Sequence, residues 1–432
     1  MVNTIKFMDK DYEERLENMV ISRHEIDEDI DNSVCSILNS VRKNGDEAIL
    51  SYTKDFDRLK LSNSFDLRIK QEEIEKAISS CPNEILLALK RAKTRIETYH
   101  KKQLPKDYDY VDEEGVQLGS RWTSMSSVGV YVPGGRASYP SSVLMNVVPA
   151  KVAGVERVVM VVPAPDGQLN SSVLAAAYIS GVDEIYRMGG AQAIGALAYG
   201  TETIRPVDKI VGPGNAYVAL AKRKVFGLVG IDMIAGPSEI LVVADASNNP
   251  SWIAADLLSQ AEHDENAQPI LICDSEVFAA TVTEIIEEQL ITLPREPIAR
   301  SSWDKNGTVI IVEHLYDVAG LINRLAPEHL ELAVEEPDII LKNVRNAGAV
   351  FLGVFTPEAV GDYIAGPSHV LPTAGNARFS SGLGVLDFLK RTSVIRCNQK
   401  SFAKICDSAE TLANEEGLHA HALSLSLRRR QT

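Results

Sequence analysis

The sequence is poor in cysteine, in basic charge and in unbroken apolar runs, and each shortage excludes a class of protein. The formal net charge of -15 argues against a nucleic-acid partner. The longest apolar region, 143–163, is interrupted by Lys151, Glu156 and Arg157, so we expect no membrane partner. The five cysteines contain no Cys-X-X-Cys pair, which argues against a disulfide scaffold, and they are Cys35, Cys81, Cys273, Cys397 and Cys406.

Length and composition are those of a globular chain. The 432 residues are enough for two or three domains. Hydrophobic residues make up 45% and charged residues 24%, which excludes a disordered chain. The first residues have no apolar core of the kind found in signal peptides. Together with the scattered cysteines, this predicts a cytoplasmic protein.

The order of apolar patterns predicts the fold class. Residues 1–105 have helical spacing and are rich in Lys and Glu. Short strand-like runs then alternate with helical stretches, and they occupy 128–132, 158–162, 184–188, 207–211, 239–244, 269–273, 308–312 and 349–352. Such alternation is typical of parallel sheets covered by helices. We predict an α/β fold with two tandem Rossmann-like modules, a helical N-terminal segment and an extended C-terminal tail of polar loops and a last helix.

An adjacent acid and imidazole, Glu328 and His329, follow Pro327 inside an apolar run. Such a pair can serve as general acid and base. A buried, hydrogen-bonded structural pair is the alternative. The same half of the chain also carries other polar residues that suit a metal site, which favours the functional interpretation.

These polar residues could bind one metal ion. Asp256, Gln260 and His263 have the spacing of one helix face, and Asp362 follows a strand-like segment and a proline turn. Taken singly, they could be a polar helix face and a helix cap. Together they form a nitrogen and oxygen set suited to Zn²⁺, or to Mn²⁺ or Co²⁺, and its members are Gln260, His263, Asp362 and one of His419 and His421.

Glycine turns follow the strands of the first module. Gly212-Pro213-Gly214-Asn215 lies between a strand and a helix, although the third glycine of a dinucleotide motif is missing. Tyr131 with Gly134-Gly135, and Gly189-Gly190 with Gln192, fall at equivalent strand ends. Each could be an ordinary strand-to-helix turn. Their shared edge is nevertheless where α/β sheets bind nucleotides, with phosphates near helix N-termini.

At this point the sequence resembles the histidinol dehydrogenase family along essentially its whole length. The matching motifs are Gly129-Val130-Tyr131-Val132-Pro133-Gly134-Gly135, Val211-Gly212-Pro213-Gly214-Asn215, Ala235-Gly236-Pro237-Ser238-Glu239, Ser259-Gln260-Ala261-Glu262-His263, Ala326-Pro327-Glu328-His329, Gly366-Pro367-Ser368-His369 and Glu416-Gly417-Leu418. The resemblance implies oxidation of L-histidinol to L-histidine, the last steps of histidine biosynthesis. It also implies one zinc ion per subunit, two successive NAD-dependent hydride transfers, and a homodimer whose C-terminal tails cross between subunits.

The resemblance assigns a role to individual residues. Glu328 and His329 match the catalytic pair. The residues that resemble NAD contacts are Tyr131, Gln192 and Asn215. The zinc ligands correspond to Gln260, His263, Asp362 and His421, where only the family register selects His421 over His419. Substrate-binding positions are Ser238, His369 and Glu416, together with His329 and the four zinc ligands. The implied domains are the N-terminal segment 1–105, a metal and substrate domain at 106–128 and 236–376, an NAD-binding domain at 129–235, and the tail 377–432.

The residue types suit this chemistry. A base must take the alcohol proton as hydride leaves, and an imidazole such as His329 does so near neutral pH. The aldehyde must then be hydrated, and no cysteine adjoins a site motif, so we expect Glu328 to activate water. Zinc is expected to position the substrate imidazole. Two other interpretations remain open: a zinc hydrolase, in which Glu328 activates a metal-bound water, and a metal-stabilised binding protein without catalysis.

Overall fold

The computed structural model describes residues 2–21, 28–134, 139–234 and 236–429. Two motif residues, Gly135 and Ala235, lie outside this part of the chain. The helices α1 to α16 span Tyr12–Ile21, Glu28–Phe56 with a kink at Gly45, Gln71–Ser80, Asn83–Lys101, Pro140–Val152, Ser171–Ser180, Gly190–Tyr199, Ala216–Val225, Pro250–Ala261, Glu276–Leu290, Glu296–Asn306, Ala319–Leu325, Pro337–Leu341, Glu358–Tyr363, Gln399–Glu415 and His419–Arg429.

The strands form three sheets. In chain order, β1 to β14 span Asn3–Lys6, Tyr108–Val111, Gln117–Ser124, Ser127–Tyr131, Arg157–Val162, Glu184–Arg187, Lys209–Val211, Gly230–Ile231, Glu239–Ala244, Gln268–Cys273, Thr308–Ile311, His329–Ala333, Ala349–Leu352 and Leu389–Arg396. Two sheets are parallel throughout and one is antiparallel. The predicted α/β class with parallel sheets is confirmed.

The five-stranded parallel sheet has the order β6-β5-β4-β7-β8. Both of its faces are buried, because Val158 and Met160 of β5 face one apolar core while Val159 and Val161 face the other. This is why its strands are apolar without interruption. The chain order reverses between β4 and β7, so a crevice for a ligand is expected at their carboxyl ends.

The six-stranded parallel sheet has the order β1-β11-β10-β9-β12-β13. Along β9, Ile240 and Val242 face one core, and Leu241 and Val243 face the other. From β9 the chain first adds β10 and β11 on one side and then β12 and β13 on the other, so the strand order reverses between β9 and β12. The second predicted module is therefore also a doubly wound sheet covered on both faces.

The N-terminal segment contributes to both modules. Helix α2 packs on α7 and α8, and α4 packs on α5, so these helices cover the five-stranded sheet. Strand β1, however, pairs with β11 at the edge of the six-stranded sheet. It was not predicted, because only Ile5 of its four residues is buried and so little periodicity is visible. The predicted domain boundaries stay predictions.

The C-terminal tail is more regular than predicted. Strand β14 joins β3 and β2 in a three-stranded antiparallel sheet, and α15 packs on α16. Almost all of β14 is exposed, so the alternating apolar pattern that marks a half-buried strand is absent. Over the described ranges, every helix is too short or too polar to cross a lipid bilayer.

Candidate active site

Glu328 and His329 lie at the amino-terminal end of β12, where His329 is in register with Ile240 and Ala349 of the neighbouring strands. Strand β12 was not among the predicted strands. Its start follows Ala326, whose left-handed φ of 45° ends α12 and redirects the chain. The pair therefore lies at the amino-terminal edge of the six-stranded sheet, whereas α/β sheets usually bind ligands at the carboxyl edge.

The hydrogen bonds of His329 determine which ring nitrogen can act as a base. Nδ1 lies 2.9 Å from the carbonyl oxygen of Glu239. Because a carbonyl only accepts, Nδ1 carries the hydrogen and Nε2 of the neutral ring keeps its lone pair. Nε2 is buried without a hydrogen-bond partner in the described chain, 3.7 Å from Glu358 Oε1 and 3.9 Å from Asp362 Oδ1. A proton accepted there would lie between two carboxyl groups.

Glu328 is a buried carboxyl group with one fixed oxygen. Its Oε2 accepts the backbone N–H of Glu239 at 2.9 Å. Burial raises the pKa of Glu328 to about 8, and although His329 and the Glu239 N–H oppose this rise, the nearby acids Glu239 and Asp362 add to it. Glu328 is therefore largely protonated at neutral pH and becomes a base only as the pH passes about 8.

Gln260 lies in the last turn of α9, and His263 follows two residues after this helix ends at Ala261, so the predicted helix face does not extend to His263. Gln260 is 1% exposed, and neither Oε1 nor Nε2 of its amide has a hydrogen-bond partner among the described residues. An unsatisfied buried amide costs about 1–3 kcal/mol, so a missing ligand is the natural explanation. Burial lowers the pKa of His263, with Asp362 opposing and His329 adding to the shift. His263 is thus neutral, the form that binds metal.

His369 joins the two modules. Its Nδ1 donates to the carbonyl oxygen of Asp362 at 3.1 Å, which leaves Nε2 to accept from the Ser142 hydroxyl at 3.2 Å. Ser142 belongs to α5, which covers the five-stranded sheet. Burial lowers the pKa of His369, although Asp362 opposes the shift. His369 is held as a neutral ring between the candidate metal ligands and the first module.

The metal-binding potential of the cluster is centred on Asp362. In the described part of the chain, His329, Glu358 and Asp362 bring nitrogen and oxygen atoms within 4.8 Å of one another. Of the predicted zinc ligands, Asp362 belongs to this group, and His263 is close enough to it to interact electrostatically. Glu358 was not predicted, although its position one helical turn before Asp362 could have indicated it.

Of the remaining predicted residues, Ser238 lies directly before Glu239, whose backbone bonds to both Glu328 and His329, whereas Glu416 and His421 of the tail are not brought to the cluster within the described chain. Ser238 precedes β9, and its side chain forms no hydrogen bond with the described residues. Glu416 and His421 are exposed on the tail. No described hydrogen bond or ion pair joins His421 to Gln260, His263 or Asp362, and its backbone N–H bonds only to Leu418. The role of His421 as a zinc ligand stays a prediction.

The predicted cofactor contacts line the carboxyl edge of the five-stranded sheet. Tyr131 ends β4, and its hydroxyl accepts the N–H of Gly190 at the start of α7. Gln192 is buried in the first turn of α7, and its Oε1 has no partner among the described residues. Asn215 caps α8 by accepting the N–H of Val218. These residues lie around the β4–β7 crevice.

A buried ion pair shapes the turn after β7. Lys222 pairs with Asp232, the side chains are 2% and 1% exposed, and both contact Gly212: Lys222 Nζ donates to its carbonyl at 3.0 Å and Asp232 accepts its N–H at 2.8 Å. Gly212 has a φ of 108°, and a Cβ there would lie 2.1 Å from the carbonyl oxygen of Tyr131. Only glycine fits this turn.

Comparison with known proteins gives the family. The model of histidinol dehydrogenase matches residues 21–429. The chain belongs to the histidinol dehydrogenase family. It is 55% identical over 428 residues to histidinol dehydrogenase of Brucella suis biovar 1, covering 99% of each chain. It is 56% identical over 421 residues to histidinol dehydrogenase of Rhodopseudomonas palustris, covering 98% of this chain and 97% of the relative.

A solved histidinol dehydrogenase has the same fold. The crystal structure of the enzyme from Elizabethkingia anophelis aligns with a TM-score of 0.93 at 36% identity, covering 100% of this chain and 98% of that one. The predicted family and fold are confirmed. The zinc hydrolase interpretation is not supported, because the matched family is one of dehydrogenases. The roles of the individual site residues stay predictions.

Proposed function

We propose that this protein oxidises L-histidinol to L-histidine through the aldehyde, as the final steps of histidine biosynthesis, with two NAD⁺ and one zinc ion per subunit. Family membership supports a dehydrogenase acting on histidinol. The geometry of His329 carries the proposal: its Nδ1 is fixed by Glu239 and its Nε2 is an unoccupied base in a cluster of acids. Free cysteines agree with a cytoplasmic location.

Gln260, His263 and Asp362 fit a zinc ion. The amide of Gln260 is buried without partners, His263 is neutral, and Asp362 supplies an oxygen that interacts with His263. No cysteine takes part, so the site is unlike a closed structural zinc site. When bound, zinc supplies an anchor for the imidazole of the substrate. A substrate held in this way would present its alcohol carbon to His329.

Tyr131, Gln192 and Asn215 fit a dinucleotide. The N-termini of α7 and α8 both point to this edge, and helix N-termini favour phosphate. The partnerless Oε1 of Gln192 is available to a ligand. When bound, NAD⁺ supplies the hydride acceptor. The contact between His369 and Ser142 supports a substrate position next to α5, which follows β4.

In the alcohol step, His329 Nε2 takes the hydroxyl proton as the carbon loses hydride. The resulting imidazolium keeps its Nδ1–H bond to Glu239 and is stabilised by the nearby carboxyl groups of Glu358 and Asp362. Fixing one nitrogen therefore orients the other. The ring needs no rearrangement between its two protonation states.

In the aldehyde step, Glu328 removes a proton from water as its oxygen attacks the carbonyl carbon, and the imidazolium of His329 left by the alcohol step returns its proton to the carbonyl oxygen. The hydrated aldehyde then loses hydride from carbon and a hydroxyl proton to His329, which yields the carboxylic acid. No cysteine replaces the water: Cys273, for example, ends β10 at the opposite edge of the six-stranded sheet. Glu328 must be ionised for this role, and burial makes that form scarce at neutral pH.

The proposed assembly is a homodimer in which His421 and Glu416 of one tail complete the site of the other subunit. Both residues are exposed in the single chain and do not reach Gln260 or His263. The tail also exposes Leu418, Leu423 and Leu427, which a second subunit would cover. A completed site thus requires two chains.

A direct assay tests the function. The protein is incubated with L-histidinol and NAD⁺ while NADH and histidine are measured, and two NADH should form per histidine. Treatment with a chelator should abolish turnover, and Zn²⁺ should restore it. The matched control is Asp362→Ala, which should remain inactive after the same zinc addition. Absence of NADH with zinc-loaded wild type, or full activity of rigorously metal-free protein, would refute the proposal.

A further inference from the structure

Three acids, Asp256, Glu331 and Glu358, form a layer behind His329, and the first two have no role in the proposed reaction steps. Glu331 Oε1 accepts the backbone N–H of Glu358 at 2.5 Å. The carboxyl of Glu331 is also hydrogen-bonded to that of Asp256. Glu358 Oε2 accepts the hydroxyl of Ser259 at 2.9 Å. Glu331 is 3% and Glu358 is 2% exposed, so these contacts lie inside the protein.

These contacts connect the two helices that carry proposed zinc ligands. Asp256 lies on α9, one helical turn before Gln260, and Glu358 begins α14, one turn before Asp362. Glu331 lies on β12 and contacts both helices. A displacement at Glu331 is therefore transmitted to a ligand on each side of the metal position.

A hydrogen bond between two carboxyl groups requires one proton. Burial raises the pKa of Glu331 to about 9, and the neighbouring Asp256 raises it further, while burial raises the pKa of Asp256 to about 6. Placing two like charges together in the interior would be costly. One proton therefore remains between the two groups at neutral pH.

We propose that the contacts of Glu331 with the Glu358 N–H and with the Asp256 carboxyl form a clamp that fixes the spacing of α9 and α14, which makes Glu331 a positioning residue for the zinc ligands Gln260 and Asp362. The proposal rests on the zinc site of the proposed function. Groups behind the metal ligands commonly set metal affinity in this way, because they limit how far each ligand can move.

Zinc affinity of the apoprotein, measured by competition with a chromophoric chelator, tests the clamp. Glu331→Gln keeps an oxygen for the Glu358 N–H and an amide donor for Asp256, so its zinc Kd should stay within about threefold of wild type. Glu331→Leu keeps the volume but loses both contacts, and its Kd should rise about 10- to 100-fold. The matched control is Leu332→Ala, which perturbs the opposite face of β12 and should leave the Kd unchanged.

Two results would overturn the clamp: an unchanged Kd in Glu331→Leu, or equal losses in the Gln and Leu variants. If Glu331→Leu does not fold, Asp256→Asn and Asp256→Ala provide the same comparison at the half-buried partner, with the loss of zinc affinity expected only in the alanine variant.

Asp362→Ala separates the clamp proposal from the zinc-site proposal. Wild-type affinity in that variant would refute the zinc site itself, whereas a loss there with none in Glu331→Leu would refute only the clamp.

Discussion

His329 and Glu328 are adjacent in the chain but are controlled by different physical effects. Their shared neighbour Glu239 accepts from His329 through its carbonyl and donates to Glu328 through its N–H. One residue of β9 therefore orients both groups. The imidazole is oriented by its hydrogen bond, and the carboxyl is kept protonated by burial, so the two can act at different stages of one reaction.

At the residue scale, we expect His329→Asn to lower the rates of both oxidations by about 10²- to 10⁴-fold, because the base at Nε2 is lost. The asparagine amide can still donate to the carbonyl of Glu239, so the fold should be retained. Single-turnover rates with histidinol and with histidinal provide the measurement. A variant that loses only one of the two oxidations would contradict a common base.

Glu328→Gln should affect mainly the aldehyde step, by about 10²-fold, since only that step needs activated water. The wild-type aldehyde rate should rise as the pH passes about 8, where Glu328 becomes the carboxylate. The glutamine can still accept the Glu239 N–H but cannot ionise, so its profile should lack this rise. Rate against pH for histidinal and for histidinol decides the matter, and equal losses for both substrates would contradict the division of roles.

At the scale of elements, the short helix α14 is held against β13 by close packing. A Cβ on Gly361 would lie 2.5 Å from Cε1 of Phe351, too close for any real contact. The ring of Phe351 also lies 6.2 Å from that of His329. The small residue beside Asp362 therefore lets α14 approach the sheet closely enough to reach the active site.

We expect Gly361→Ala to destabilise the protein by about 1–3 kcal/mol, because the added methyl group must displace either α14 or the Phe351 ring. It should also weaken zinc binding by moving Asp362. Urea unfolding of the apoprotein and the zinc Kd provide the measurements. Adding Phe351→Leu to the Gly361→Ala chain should restore part of the stability and part of the zinc affinity. A double variant no better than Gly361→Ala would show that the Phe351 ring is not the obstacle.

At the scale of the whole molecule, the proposed site combines opposite edges of the two parallel sheets. The five-stranded sheet presents its carboxyl edge, with Tyr131 and the turn at Gly212, and the six-stranded sheet presents its amino edge, with His329. His369 and Ser142 connect the two sides. The C-terminal tail lies outside this site, and its His421 is exposed in the single chain.

Mixed dimers test whether the tail acts on the partner subunit. His421→Ala and Glu328→Gln subunits, each with low activity alone, are co-expressed with different affinity tags, and the doubly tagged dimer is purified. If tails are exchanged, one site combines an intact body with an intact tail, and about half of the wild-type activity should return. Homodimers of each variant are the controls. A mixed dimer no more active than these controls would place the tail in its own subunit's site.

The sequence by itself determined the parallel α/β class, most of the strands and the motifs that carry the family resemblance. These follow from local patterns: uninterrupted apolar runs for strands buried on both faces, glycines where a turn allows no side chain, and polar residues that interrupt such runs. Strands β1, β2, β3, β8, β12 and β14 contain no long uninterrupted apolar run and were not predicted for that reason. The first and last are largely exposed, and β12 carries the acids and the histidine of the site.

Only the tertiary structure decided which groups surround His329. Glu239 is 90 residues from it along the chain, and Glu358 is brought close by the packing of α14 on the sheet. Glu331 and Asp256 were visible in the sequence, but their shared hydrogen bond and its burial were not. The protonation state of a buried carboxyl group depends on its loss of hydration and on the charged and polar groups around it. Both are determined by contacts between distant segments of the chain. For that reason the identities of the predicted catalytic pair came from the sequence, while its tautomer, its protonation and its supporting acids came from the fold.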